Sequence, residues 1–199
     1  MLEAQFYEND ETFVGRPKLT PDPTVRQHFL AAIGRAENLS HARLAKDPKD
    51  RDALFALTLS SGLQADYAAL IEKRNLASLR FTKAASASAQ KLLAVCPDCY
   101  DALLATGFSK YIVGSIVAPV RWVFRLGGLP ADKQGGIADL ETTAVRGHYL
   151  APFARILLAI AYVREKDKPR ALQLLTALGQ EFPENTLFPR EIAHLRAAP

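Results

Sequence analysis

The sequence has little cysteine, tryptophan or methionine. Two cysteines, one tryptophan and one methionine stand among its 199 residues. A small secreted scaffold held together by several disulfides is excluded, because such scaffolds are rich in cysteine. The four histidines are scattered and form no paired motif, so the chain lacks the four ligands that a tetrahedral zinc site needs.

The chain also lacks a long uninterrupted hydrophobic run. No segment reaches the ~20 apolar residues of a membrane-spanning helix, and the nearest approach, residues 111–126, is interrupted by Pro119, Arg121 and Arg125. The first eleven residues are acidic and have no apolar stretch of the kind found in a signal peptide. We therefore expect no transmembrane span. We expect a soluble, cytoplasmic chain as it stands, or an exported or periplasmic one if a leader has been removed.

Charge of one sign is not concentrated anywhere along the sequence. The net charge is +4 at pH 7, and the Lys and Arg residues form no basic run. Binding to nucleic acid requires a basic stripe on one face of the protein, so we expect no nucleic-acid partner. Hydrophobic residues make up 49% of the chain, which is enough for a sizeable core and excludes disorder.

Apolar residues recur at spacings of three and four from Pro23 onward, which predicts helices almost throughout and no strand. Residues 1–22 lack this periodicity and carry Gly15, Pro17 and Pro21, which predicts an extended N-terminal arm. Proline, glycine and capping residues delimit the helices. The predicted ranges are 23–46, 50–73, 75–95, 98–111, 120–125, 131–146, 151–165, 168–181 and 189–197. We thus predict one all-α domain covering residues 23–199.

Stop motifs recur at Asp47-Pro48, Cys96-Pro97 and Phe182-Pro183, and each precedes a new amphipathic helix. Chains of helical hairpins are punctuated in this way. Residues 152–183 resemble one tetratricopeptide (TPR) motif, except that Arg155 stands where tryptophan is usual and Leu178 where alanine is usual. The motif positions that agree are Leu158, Ala159 and Tyr162 on the first helix and Ala171, Leu175 and Pro183 on the second.

A wider resemblance covers about residues 47–195. This region is similar to a divergent bacterial group of TPR-like proteins, and its carboxy-terminal half is similar to the eukaryotic mitochondrial outer-membrane TPR group. The residues that carry the resemblance are Gly107, Gly114, Gly127 to Asp132, Gly136, Ile137, Ala144, Gly147, Tyr149, Pro152, Ala154, Phe182 to Asn185, Leu187 and Phe188. The resemblance implies an antiparallel helical hairpin array, an α-α superhelix, and it implies little about activity.

The motif Cys96-Pro97-Asp98-Cys99 is the sharpest chemical feature of the sequence. A CxxC redox pair of the thioredoxin type needs a βαβ context, which the sequence does not offer. We interpret Pro97 as the closing residue of a repeat and the two cysteines as small residues of the turn. A disulfide between Cys96 and Cys99 is the alternative. On the first interpretation, serine at both positions leaves the fold nearly intact.

Motifs for catalysis are scarce. The pairs Gly127-Gly128 and Gly135-Gly136 fit neither the dinucleotide fingerprint nor the P-loop spacing, and they are interpreted as helix punctuation. The serines do not lie in a nucleophile elbow, and no acid and base residues converge. We therefore predict a non-enzymatic protein without catalytic residues, cofactor or metal.

The helix predicted at 151–165 is apolar nearly all round. The TPR resemblance assigns Leu158, Ala159 and Tyr162 to packing inside the hairpin, and it assigns four other apolar positions to a concave groove. A helix of this kind should be covered, either by residues 111–126, by the N-terminal arm, by a second copy of the chain or by a hydrophobic ligand. The predicted partner or ligand groove comprises Tyr111, Trp122, Phe153, Ile156, Ile160 and Val163.

These features predict a scaffold that binds a protein or peptide partner, since stacked hairpins form a concave surface. A homo-oligomer formed through an apolar helix face is compatible with the same surface. The alternative function is a carrier of an apolar small molecule or lipid in a pocket between the central helices.

Overall fold

The computed structural model describes residues 20–115 and 130–197. All regular structure within these ranges is helical, which confirms the all-α prediction. The α-helices are α1 (Pro23–Lys46), α2 (Arg51–Asp66), α3 (Asn75–Val95), α4 (Leu103–Ser115), α5 (Lys133–Arg146), α6 (Ala151–Arg164), α7 (Lys168–Glu181) and α8 (Leu187–Ala197). The predicted helix at 120–125, residue Trp122 and residues 1–19 of the predicted arm lie outside the described residues.

Aspartates begin four of these helices. The carboxylate of Asp22 accepts hydrogen bonds from the backbone N–H groups of Thr24 and Val25 at 2.9 and 3.0 Å, and Pro23 follows in the first turn of α1. Asp50, Asp132 and Asp167 accept equivalent bonds at the starts of α2, α5 and α7. Such caps satisfy the orphan amides of the first turn, so the sequence marks these starts directly.

Two predicted helices differ in form from the prediction. The helix predicted at 50–73 ends as an α-helix at Asp66 and continues as a π-helical turn, Tyr67–Ile71. The ring of Tyr67 contacts that of Phe29, with centroids 5.2 Å apart, and its hydroxyl accepts a hydrogen bond from Arg26 Nε at 3.0 Å. The helix predicted at 98–111 begins with a 3-10 turn at Tyr100–Ala102 and extends to Ser115 as α4.

Each helix packs against the next one along the chain. The α1–α2 and α6–α7 pairs run antiparallel, as the ion pairs at their ends show. Arg43 near the end of α1 pairs with Asp50 before α2 at 2.6 Å, whereas Arg26 at the start of α1 reaches Glu72 beyond α2 at 3.4 Å. In the carboxy-terminal half, Arg155 of α6 pairs with Glu181 at the end of α7 at 2.6 Å. The α1–α2 and α6–α7 pairs are therefore hairpins.

Within residues 20–115 and 130–197, the core contains three apolar clusters, one in the amino-terminal half and two in the carboxy-terminal half. The first joins α2, α3 and the turn before α4, the second joins α5, α6 and α7, and the third joins α6, α7 and α8. Their buried members are, in that order, Leu54, Ala89, Leu92, Cys96 and Ala102; Leu140, Leu157, Leu158, Ile160, Tyr162 and Ala171; and Ala159, Leu175, Leu178 and Phe188.

In the part of the chain that the structure describes, one continuous helical stretch, residues 51–71, is long and apolar enough to cross a membrane by length and composition. This stretch differs from residues 111–126, the segment of the sequence that comes nearest to an uninterrupted apolar run of membrane-spanning length. Half of its 18-residue window is buried inside the fold, as is usual for the core helix of a globular protein.

Glycines bring α4 and α5 into backbone contact. Gly135 and Gly136 lie inside the first turns of α5. The sequence interpretation treated them as marking a helix boundary, but Gly136 also contacts a neighbouring helix. A Cβ atom at Gly136 would lie 2.5 Å from Tyr111 N and 2.7 Å from Gly107 O. The absence of a side chain at Gly136 is therefore what allows the two helix axes to approach.

Candidate interaction surfaces

The structure places Tyr111 in the core. Its side chain is 2% exposed, and its hydroxyl donates to the carbonyl of Ala161 at 3.3 Å and lies 3.4 Å from a carboxylate oxygen of Glu165. Burial raises the pKa of Tyr111, which keeps the phenol neutral and able to donate. Tyr111 therefore joins α4 to the second half of α6 and does not line an open groove.

The four groove positions predicted on α6 have different environments. Ile160 is buried in the second cluster, while Phe153 and Ile156 are partly buried and pack against it. Val163 is 37% exposed. The described residues therefore do not bring Phe153, Ile156, Ile160 and Val163 together on one open surface, and Trp122 lies outside the described residues.

The positions assigned to packing inside the hairpin are buried. Leu158, Ala159 and Tyr162 are 2%, 2% and 7% exposed. The Tyr162 hydroxyl donates to Glu141 Oε1 at 2.6 Å, and the guanidinium of Arg170 lies 5.3 Å from the centre of its ring. Burial, and then the bond to Glu141, raise the pKa of Tyr162, so the phenol stays protonated across the neutral range.

We expect Ile156→Asp to lower the free energy of unfolding by about 2 kcal/mol, because the carboxylate would be partly desolvated among the second and third clusters without a partner. Urea denaturation followed by circular dichroism measures this. Val163→Asp, on the exposed side of the same helix, is the matched control and should change stability little. Equal stability of both variants and the parent would show that Ile156 is open to water.

An exposed apolar stripe lies instead on α2. Leu59 and Leu63 are each 38% exposed, and Phe55, which is half-buried against the first core cluster, lies one turn earlier on the same helix face. The ring of Tyr149, which is 69% exposed, lies 6.0 Å from that of Phe55. We call Phe55, Leu59, Leu63 and Tyr149 the α2 stripe. Sequence reasoning missed it, although Phe55, Leu59 and Leu63 recur at a spacing of four residues.

Asp101 holds Tyr149 in place. It is 8% exposed, and its carboxylate accepts backbone N–H bonds from His148, Tyr149 and Leu150 at 2.9 to 3.2 Å. These amides lead into α6, so a residue before α4 anchors a loop about fifty positions later. Periodicity and spacing gave no signal for this contact, because the partners are far apart in sequence.

Cys96 and Cys99 form a disulfide, the alternative that the sequence left open. Cys96 is 4% exposed and belongs to the first core cluster, which the interpretation as an ordinary turn residue did not anticipate. Asp98 Oδ1 lies 3.1 Å from Cys96 Sγ, and the three donor atoms of Cys96, Asp98 and Cys99 lie within 4.8 Å of one another. Metal ligation needs thiolates, so this cluster is not a metal site while the disulfide is formed.

We expect reduction of this disulfide to lower the free energy of unfolding by about 2 kcal/mol, because a short closed loop removes limited entropy from the unfolded chain. Urea denaturation with and without dithiothreitol measures it. The Cys99→Ser variant is the control and should show no effect of the reductant. Identical curves for the parent under both conditions would contradict a stabilising disulfide.

Comparison of the chain with protein-family models, with curated proteins and with solved structures finds no match in any of the three.

Proposed function

We propose that this chain is a non-catalytic scaffold of TPR-like hairpins that binds a protein or peptide partner through the α2 stripe. The observation that carries the proposal is the exposure of Leu59 and Leu63 on successive turns, next to Phe55 and Tyr149. A single exposed leucine is ordinary, but a contiguous apolar patch marks an interaction surface. The TPR resemblance of residues 152–183 supports the same function, since such arrays bind partners along one face.

The residues around the stripe suit recognition of an extended or helical peptide. Phe55 and Tyr149 supply aromatic contact area, which interfaces favour because these side chains lose little conformational entropy on binding. The carboxylate of Asp101 fixes the backbone beside Tyr149 before any partner arrives. A surface organised in advance pays a smaller ordering cost on binding.

Site-specific photo-crosslinking in the source cells tests the proposal. Benzoylphenylalanine at Leu59 should give a discrete crosslinked species that is lost when Leu63→Glu is added. The same amino acid at Val145, which is 83% exposed on α5, is the matched control and should give none. Equal crosslinking at both positions, or none at Leu59, would contradict the proposal. A small molecule that remains bound in native mass spectrometry would instead favour the apolar carrier.

The disulfide supports a proposal about the compartment. Disulfides persist in oxidising compartments and are rare in reducing cytosol. We infer that the protein works in an oxidising compartment such as a periplasm. Thiol alkylation of the protein in intact cells should leave Cys96 and Cys99 unmodified, and complete alkylation of both would contradict this inference.

A further inference from the structure

Helix α1 leaves one flank without a partner among the described residues. It packs on α2 through a face that includes Phe29, Ile33 and Ser40. Val25 and Leu39 are 47% and 67% exposed, and Ala32 between them is exposed as well. Helical periodicity alone predicts that these three residues lie on the buried face of α1. In the structure they lie next to that face and are exposed.

The three exposed residues form a line along α1. Val25, Ala32 and Leu39 are spaced by seven positions, and residues at this spacing lie on one side of a helix with little drift. The line runs for about 21 Å at 1.5 Å per residue. We call Val25, Ala32 and Leu39 the α1 stripe. Its length and spacing match those of an apposed helix of about four turns.

Basic side chains border this stripe. His28 and Arg35 each follow a stripe residue by three positions, so they lie on the neighbouring row of the helix surface. Lys46 follows Leu39 by seven and lies at the end of the stripe itself. All three are exposed. By contrast, the other arginines of α1 are engaged: Arg26 pairs with Glu72 and Arg43 with Asp50.

Negative charge is almost absent from α1. Glu37 is its one acidic residue, and it accepts a hydrogen bond from Gln64 Nε2 of α2 at 2.6 Å, which directs it toward the packed side. The open flank therefore combines an apolar line with a positive border.

We infer that the α1 stripe docks an amphipathic helix of another protein, with acidic residues flanking its apolar face. Apolar residues at heptad spacing on that helix would pack against Val25, Ala32 and Leu39, while its carboxylates would pair with Arg35 and Lys46. A second copy of α1 does not fit, because two basic helices would place like charges opposite each other. The inference rests on the proposed binding function and adds a second surface with a partner of stated chemistry.

A random 16-residue peptide library panned on the immobilised full chain, with counter-selection on Leu39→Glu, tests the inference. Selected peptides should carry apolar residues at helical spacing flanked by Asp and Glu. Arg35→Glu should weaken the affinity of the best peptide by about tenfold in fluorescence anisotropy. High salt should weaken its binding to the parent and reduce the difference between the parent and the variant. The matched control, Lys91→Glu on the exposed side of α3, should leave its affinity unchanged. Circular dichroism melts should show an unchanged Tm for Leu39→Glu.

Three results would overturn the inference. They are the absence of any enriched peptide, enrichment without acidic residues, and peptides that bind Leu39→Glu as well as the parent. A dimer in sedimentation velocity that Leu39→Glu dissociates would assign the stripe to a second copy, which also overturns it. Crosslinking at Leu59 is independent of Leu39, so its persistence after such a result would leave the proposed function standing. Loss of crosslinking at Leu59, while the selected acidic peptides still bind, would contradict only the proposal that the α2 stripe binds a partner.

Discussion

The Asp101→Ala variant is expected to lose about 4 kcal/mol of unfolding free energy. The carboxylate accepts three backbone amides that precede α6, and hydrogen bonds to a charged group contribute roughly 1.5 to 3 kcal/mol each. Without it, these partly buried N–H groups have no acceptor, and the loop between α5 and α6 loses its anchor to the start of α4. Urea denaturation monitored by circular dichroism measures the loss.

Two further variants make this result specific. Asp101→Asn keeps an oxygen acceptor without the charge, so it should lose about half as much. Glu184→Ala removes an exposed carboxylate and should change stability by less than about 0.5 kcal/mol. A loss for Asp101→Ala that does not exceed that of Glu184→Ala would show that the three amides find other acceptors.

Gly136→Ala is expected to destabilise the fold by about 3 kcal/mol, although alanine is the better helix former. The added methyl group would meet backbone atoms of Tyr111 and Gly107 at 2.5 and 2.7 Å, and backbone cannot move aside as a flexible side chain can. Helices α4 and α5 would have to separate, which also disturbs the position of Tyr111 against α6. Thermal and urea denaturation measure the effect.

Gly34 and Gly62 provide the matched controls for this substitution. Both lie inside helices, and an added Cβ at either position would meet no atom within 4 Å. Gly34→Ala and Gly62→Ala should each stabilise the protein by about 0.5 to 1 kcal/mol through helix propensity. The same gain at Gly136 would contradict a close approach of α4 and α5.

Much of the helical layout could be predicted from the sequence because its signals are local. The ranges 23–46, 75–95 and 168–181 agree with α1, α3 and α7 at both ends. Caps such as Asp22 and Asp167 act on amides within three residues of themselves. The TPR resemblance, in addition, assigned Leu158, Ala159 and Tyr162 to packing positions, and these residues are buried.

Periodicity could not decide which of two apolar faces is covered. Val25 and Leu39 continue the apolar pattern of α1 and yet remain exposed, while Tyr111, predicted for a groove, is buried. The reason is that burial depends on which neighbouring helix arrives and at what angle, and crossing angles depend on side chains of both helices. The sequence alone therefore could not predict that the α1 stripe and the α2 stripe are exposed.

The sequence by itself determined an all-α chain of capped, punctuated helices, since capping, proline stops and helical periodicity act over a few residues. Only the tertiary structure decided the disulfide between Cys96 and Cys99, the bonds of Asp101 to the loop before α6, and the close crossing at Gly136. The contacts of Asp101 and Gly136 join residues about 25 to 50 positions apart, and Cys96 is buried by the packing of α2 and α3. No local pattern reports such contacts, because their geometry exists only once the helices have packed.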